Sequence, residues 1–301
     1  MQTRTLRSDL MLLLTAAIWG LAFVAQRLGM EHVGPFTFNA SRFFLGALSL
    51  LPLLLFFKPE VKTIDTTAKK PISLWLGGAM AGMLLFMGAA LQQVGLQYTT
   101  AGKAGFITGL YIILVPMLAL FWGQRTGRNT WLGALLAVVG LYLLSINDDF
   151  SLSYGDLLQL IGAFFWAGHV LMIGWLSPQL DAIRLSIVQF FTCGVISLIA
   201  AFIAETPQIA DIAAGWQPIA YAGLLSVGVA YTLQVVAQKS TPASHAAIIL
   251  SLEAVFAVIG GYLMLNELLS LKAMIGCGLM LAGMLISQIN PKQKPMVETA
   301  H

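Results

Sequence analysis

Ten stretches of this chain run for about twenty residues each with almost nothing charged inside them: 10–30, 35–57, 72–97, 100–122, 129–147, 154–175, 182–204, 216–238, 242–264 and 270–289. The hydrocarbon core of a bilayer is about 30 Å thick, and a helix rising 1.5 Å per residue needs roughly twenty apolar residues to cross it. Irregular backbone and open strand edges cannot face lipid, because their polar groups would have no partner there. The sequence therefore predicts an all-α integral membrane protein with ten transmembrane helices. Composition agrees: 58% of the 301 residues are hydrophobic and 10% are Asp, Glu, Lys or Arg, against about 25% charged in a soluble domain. A soluble core of this size has no room for so much apolar surface.

The run from Leu10 to Met30 is too long for the core of a signal peptide and has no clean small-residue cleavage site, so it reads as a retained first helix. Cys193 and Cys277 each lie inside an apolar segment and read as buried thiols, not as a disulfide or metal framework. The net charge of +3 gives no argument for a nucleic-acid partner. Twelve of the sixteen basic residues fall on one side of a ten-helix topology: Arg4, Arg7, Lys58, Lys62, Lys69, Lys70, Arg125, Arg128, Arg184, Lys239, Lys292 and Lys294. The other side carries Glu31, Asp148, Asp149, Asp156, Glu205 and Asp211. That bias places both termini in the cytoplasm of a cell whose inner membrane holds the protein as a multi-pass chain.

The chain also repeats itself. AAIWGLAFV (Ala16–Val24) followed by PFTFNASRFF (Pro35–Phe44) parallels GAFFWAGHV (Gly162–Val170) followed by DAIRLSIVQFF (Asp181–Phe191). This sets Trp19 over Trp166 and Arg42 over Gln189. GAALQQVGLQYTTA (Gly88–Ala101) parallels AYTLQVVAQKSTPA (Ala230–Ala243), setting Gln92 over Gln234. LYIILVPMLALFWGQ (Leu110–Gln124) is a weaker copy of SLEAVFAVIGGYLMLNE (Ser251–Glu267). GALLAVVGLYLL (Gly133–Leu144) parallels GCGLMLAGMLI (Gly276–Ile286). The expected division is a first repeat over 1–147 and a second over 148–301. Five helices per repeat is an odd number, so the second enters the membrane from the opposite side. Inverted five-helix repeats are a recurrent plan of secondary transporters, with the solute site near mid-membrane where the repeats meet.

These same motifs resemble the EamA-like family of the drug/metabolite transporter superfamily, as a ten-helix permease. The resemblance is carried by Trp19-Gly20, the Pro35…Ser41-Arg42-Phe43 run, YTTAGKAGF (Tyr98–Phe106) and LVPMLALFWGQR (Leu114–Arg125). The second half adds STPASHAAIILSLEAVF (Ser240–Phe256) and LNELLSLKAMIG (Leu265–Gly276). It spans essentially the whole chain. Two departures stand out: Ala254 follows the acid of the ninth helix where the family usually has proline, and Gln124 replaces a glutamate at the end of the fourth. The resemblance implies a transporter, mostly for efflux of amino acids, metabolites or drugs.

Among candidate residues, Glu253 comes first. It lies about eleven residues into the ninth segment, roughly 16 Å along it, where a carboxylate costs at least a few kcal/mol without a partner or a task. It reads as a proton site, a partner for a cationic solute, or a structural acid bonded across an interface. His245, eight residues earlier on the same face, offers either a proton relay or a cap. Gln92, Gln93 and Gln234 belong to the largest polar group within the segments. A neutral amide donates and accepts, so it binds a zwitterion without a full charge penalty, and it also glues helices together. Trp19 and Trp166 sit mid-segment, away from the interfacial belt, and join Tyr111 and Tyr231 as possible walls for a solute or as packing. Arg42 needs a partner or water and reads as a structural or pocket-edge cation. Lys103 either meets a solute carboxylate or a rim acid, or snorkels to the interface.

No HExxH, GxSxG, Walker loop or acid pair at glycosidase-like spacing is present, so neither an enzyme nor a cofactor is expected. The sequence reading is a secondary active transporter exporting a small organic solute such as an amino acid or related metabolite by alternating access. Its partners are the small-molecule substrate and the lipid bilayer, as a monomer or a homodimer. The alternatives are a drug efflux carrier, a passive channel, or a membrane scaffold.

Overall fold

The computed structural model describes residues 2–56, 72–121, 127–145, 153–265 and 271–288. The lysine-bearing loop Lys58–Pro71, Gln124, Asp148, Asp149, Glu267 and the tail from Asn290 to His301 lie outside them. All regular structure among the described residues is helical. In chain order the long segments are α1 (Gln2–Gly29), α2 (Pro35–Phe56), α3 (Leu74–Gly95), α4 (Ala101–Phe121) and α5 (Arg128–Ser145). They continue with α6 (Tyr154–Leu176), α7 (Ala182–Ala204), α8 (Trp216–Gln238), α9 (Ala243–Met264) and α10 (Leu271–Gln288). A short helix, Ile209–Ala214, precedes α8. Eight of these segments, all but α5 and α10, are long and apolar enough to cross a membrane.

The residues explain the elements. α1 starts eight residues before the apolar run at Leu10, because Arg4 and Arg7 are good helix formers and extend it past the apolar stretch. α6 opens on a capping box in which the Ser153 hydroxyl accepts from Asp156 N and the Asp156 carboxylate accepts from Ser153 N. α7 is capped by Asp181, whose side chain accepts from Arg184 N. α2 has Pro35 at its first position and a glycine before it, with no local side-chain cap. Its cap comes from elsewhere: Glu205, at the end of α7, accepts from Phe36 N at 2.8 Å, Thr37 N at 2.9 Å and Thr37 Oγ1 at 2.6 Å.

Three of the helices are not continuous, contrary to the even apolar runs of the sequence: α2 turns at Leu51–Pro52, between Pro35–Leu50 and Leu53–Phe56, and α4 and α9 are broken as well. α4 breaks at Leu110, between Ala101–Gly109 and Tyr111–Phe121. α9 breaks at Ser251–Leu252, between Ala243–Leu250 and Glu253–Leu265. At the α4 and α9 breaks the backbone tightens into i→i+3 bonds, Ile113 N to Leu110 O and Ala254 N to Ser251 O among them. Glu253 is therefore not mid-helix but in the first turn of a new helical piece. α8 departs differently, taking the wider π form over Tyr221–Tyr231, a distortion found mostly at functional sites.

The apolar residues divide between two solvents. Phe23, Phe38, Phe43, Leu85, Phe190 and Val227 are fully buried, while Trp75, Phe121, Phe202, Ile203 and Leu263 point outward. An outer belt of large exposed side chains suits contact with lipid tails. α5 packs along α10, α2 along α7, and α3 against both α6 and α7. Glycines set the closeness of some of these contacts: a Cβ on Gly140 would lie 2.5 Å from the Gly276 carbonyl, and one on Gly283 2.5 Å from that of Gly133. The small-residue rows of α5 and α10 thus face each other within one chain.

Candidate functional site

Seven helices converge on one narrow, partly open cavity. α1 contributes Trp19, Phe23 and Gln26, α2 Arg42, and α3 Gln92. Thr108 and Tyr111 come from the two pieces of α4, and Trp166 and His169 from α6. The π stretch of α8 gives Ser226 and Tyr231, the α-turns after it Gln234, and the second piece of α9 Glu253.

Tyr231 is the hub of the walls. Its ring centroid lies 4.4 Å from that of Trp19 and 6.2 Å from that of Trp166, the latter nearly parallel at 21°. Phe43 and Phe190 back it at 6.3 Å and 6.0 Å. The tryptophans differ in one respect: Trp19 Nε1 donates to the Ser226 carbonyl at 3.2 Å, while Trp166 Nε1 has no partner. A Cβ on Gly88 would stand 2.9 Å from the Trp166 ring, so a glycine at that position is what lets the ring seat against α3.

The polar groups are unevenly satisfied. Arg42 is 2% exposed; its Nε donates to Asn39 Oδ1 at 3.0 Å and its Cζ lies 4.9 Å above the Phe43 ring, but Nη2 has no partner. Asn39 is itself fixed, donating through Nδ2 to the Ala89 carbonyl. Glu253 is 4% exposed and its Oε1 has no partner. Tyr111 is close enough to interact with Glu253, yet its hydroxyl is not set in hydrogen-bonding geometry to any acceptor. Gln234 Nε2 donates to Gln238 Oε1 at 2.9 Å, leaving Oε1 free. His169 Nε2 meets Gln189 Oε1 at 2.9 Å.

Of the residues singled out from the sequence, the structure brings eight to this cavity: Gln92, Gln234, Trp19, Trp166, Tyr111, Tyr231, Glu253 and Arg42. Three lie elsewhere. Gln93 is buried beside the cavity and donates through Nε2 to the Gln26 carbonyl at 3.3 Å. Lys103 pairs with Asp156 at 2.6 Å, joining the start of α4 to the start of α6. His245 meets Asp9 at 3.1 Å, tying α9 to α1 outside the cavity, so the structure does not bring it together with Glu253. Gln238, near the end of α8, is buried and donates to the Val170 carbonyl. Sequence reasoning passed over His169, Gln26, Ser226 and Thr108. For His169 there was a signal: it follows Trp166 by three residues, hence shares its helix face.

An all-helical bundle with eight membrane-length apolar segments and a polar cavity enclosed among them is a multi-pass membrane protein of the transporter class. The chain belongs to the EamA-like transporter family, whose model matches residues 6–146 and 153–288. It is 33% identical over 285 residues to an uncharacterized transporter of Archaeoglobus fulgidus, covering 94% of this chain and 86% of that one. It is 25% identical to the uncharacterized transporter YoaV of Bacillus subtilis, over 90% and 92% of the two chains. A probable amino-acid metabolite efflux pump of Salmonella typhimurium is 29% identical over 163 residues, 52% of this chain and 49% of the pump. One solved crystal structure, 17% identical, superposes with a TM-score of 0.76 over 93% of this chain and 96% of its own, which establishes the fold alone. Family and relatives indicate a transporter and not an enzyme.

Proposed function

We propose that this protein is a secondary active exporter of a small organic solute such as an amino acid or related metabolite, working by alternating access. The observation that carries the reading is the cavity itself. Buried polar atoms are normally hydrogen-bonded, yet Arg42 Nη2, Tyr111 Oη, Trp166 Nε1, Gln234 Oε1 and Glu253 Oε1 all lack partners and all belong to residues lining this one space. A solute with donors and acceptors of its own satisfies them. The resemblance to a probable amino-acid metabolite efflux pump supports export and the solute class.

The architecture is ten transmembrane helices in two inverted repeats, residues 1–147 and 148–301, in a cytoplasmic membrane with both termini inside. Supporting it, the family model matches two successive stretches. The packing is also consistent with a twofold relation: α1 on α9 mirrors α6 on α4, and α2 on α8 mirrors α7 on α3. The breaks at Leu110 and at Ser251–Leu252 fall at nearly equivalent places, and interrupted helices at mid-membrane are where secondary transporters place their sites. Glu253 is the coupling group, exchanging a proton between transport steps.

Counterflow tests the reading. Proteoliposomes preloaded with a mixture of amino acids and common metabolites should show saturable, protein-dependent exchange of at least one solute by mass spectrometry. A non-saturating flux without counterflow would mean a channel, and no exchange by folded protein would remove metabolite export. The aromatic walls beside Glu253 favour a second reading, efflux of a drug-like cation. Loss of drug resistance in cells carrying Glu253→Ala, with no amino-acid exchange in vesicles, would select it.

A further inference from the structure

A guanidinium and a carboxyl line the cavity without pairing with each other. Arg42 projects from α2 and Glu253 from the broken α9, and the Arg42 guanidinium has no carboxylate within ion-pair range among the described residues. Burying an unpaired guanidinium costs several kcal/mol, and a buried carboxyl takes either a proton or a partner, so both groups are open to a solute that supplies their partners. Arg42 is held at its side chain and Glu253 at its main chain. Arg42 is held through Nε by Asn39 and across its face by Phe43, which leaves Nη2 as the end without a partner. Glu253 is held by its place in the first turn after the α9 break, with its main chain pressed against Gly20.

Resting on the transport reading above, we infer that Arg42 and Glu253 form a two-point clamp that selects solutes carrying a carboxylate and an ammonium group close together. Arg42 Nη2 donates to the carboxylate, and Glu253 Oε1 accepts from the ammonium. Gln234 Oε1, also without a partner, is a second acceptor on the ammonium side. A plain carboxylate leaves Glu253 uncompensated, and a plain cation leaves Arg42 uncompensated; a zwitterion satisfies both. The rest of the solute lies against Trp19, Tyr231 and Trp166, which accept apolar or aromatic bodies.

The clamp is also directional. The position matching Arg42 in the second half is Gln189, and it is occupied with His169 at 2.9 Å. There is no second guanidinium to take the carboxylate in the reversed pose, so the carboxylate end lies toward the first half and the ammonium end toward the second.

The experiment compares three matched ligand sets on full-length protein: the twenty standard amino acids, their amides, and their desamino carboxylic acids. Binding is read by thermal shift in detergent and transport by counterflow in proteoliposomes. At least one amino acid is expected to bind, with its amide and its desamino acid each at least tenfold weaker. Glu253→Gln should bring the desamino acid to within a few-fold of the parent, and Arg42→Gln should do the same for the amide. Arg42→Lys, which keeps the charge but loses the planar fork, should retain weakened discrimination. Equal binding of an amide or a desamino acid to the wild-type protein would overturn the clamp, whatever the variants do. So would the absence of binding by every member while another metabolite exchanges, an outcome that leaves the transport reading standing. Discriminating binding without exchange of any solute would do the reverse, supporting the clamp and removing the transporter.

Discussion

Gly20 lies directly against the main chain of Glu253: a Cβ at position 20 would stand 2.5 Å from the Glu253 carbonyl oxygen and 2.7 Å from Ala257 N. The missing side chain lets α9 meet α1 at the level where α9 is broken, and so puts Glu253 in the same cavity as Trp19. These two atoms are backbone, and the Phe256 Cβ, which is closer still, is fixed to it, so none of the three can rotate away. Gly20→Ala should therefore push the second piece of α9 outward, at an overpacking cost of about 1–3 kcal/mol. The expected result is a lower melting temperature in detergent and a loss of exchange larger than the loss of folded protein. Unchanged exchange would show that this contact does not position Glu253.

The two tryptophans should separate stability from recognition. Trp19 Nε1 already donates to Ser226, while Trp166 Nε1 has nothing to donate to. Trp19→Phe leaves a buried carbonyl one donor short and should cost about 1 kcal/mol of stability, since a net hydrogen bond is worth about 0.5–1.5 kcal/mol. Trp166→Phe removes a donor that no protein group uses, so its melting temperature should stay close to wild type while the apparent KM rises. Melting curves and concentration-dependent exchange on the two variants check this.

Much of the fold was legible because a bilayer leaves few choices. Apolar runs of the right length must be helices, and the runs from Tyr154, Ala182 and Trp216 begin within a residue or two of the helices that form there. The cavity was legible in part because polar residues within apolar runs are scarce, so Glu253, Arg42, Gln92 and Gln234 stood out. What stayed hidden depends on packing between distant segments. Nothing near Pro35 announces that Glu205, 170 residues on, caps that helix. Nor does SLEAVF announce a break: serine and leucine are ordinary helix residues, yet the helix is interrupted at Ser251–Leu252. His245 and Glu253 share a face only in an unbroken helix, so of the two readings of His245, relay or cap, the relay lost its geometry to that break.

The rim pair offers a test of which partner matters. Asp156 is fully buried and receives Lys103 Nζ at 2.6 Å, Thr99 Oγ1 at 2.8 Å and Ser153 N at 2.8 Å. Lys103 is partly exposed but Asp156 is not, so taking the lysine away leaves a buried carboxylate held by hydrogen bonds alone. Lys103→Met should lower the melting temperature, but by less than the loss of the carboxylate itself, because two other donors still hold it. Asp156→Ala removes the capping box of α6 together with the link to α4 and should cost about 1–2 kcal/mol. A Lys103→Met protein as unstable as Asp156→Ala would show that the ion pair dominates.

Glu205 should behave as a cap supplied in trans. Three donors at the start of α2 converge on its carboxylate, and the neighbouring Gly34 leaves room for it. Glu205→Ala strips that helix of its only side-chain cap and of a charge favourable to its dipole, an expected loss of about 1–2 kcal/mol. Glu205→Gln keeps one acceptor oxygen and should lose less. Because α2 also carries Arg42, Glu205→Ala should weaken solute binding, and the ratio of amino acid to amide affinity should fall with it. Hydrogen exchange of the Phe36 and Thr37 amides would report the fraying directly.

The coupling role of Glu253 predicts a contrast with His245. Glu253 lines the cavity, whereas His245 sits on Asp9 outside it. Glutamine at 253 cannot exchange a proton, so Glu253→Gln should give exchange rates that no longer change with pH, whatever activity remains. His245→Gln keeps the carboxylate and should keep the pH dependence, while loosening the contact between α1 and α9 and lowering the melting temperature modestly. Counterflow across mildly acidic to mildly alkaline buffers, identical on both faces of the vesicle, measures this without a driving gradient. A pH-dependent Glu253→Gln protein would move the coupling proton to another group, and a pH-independent His245→Gln protein would move it to the Asp9–His245 pair.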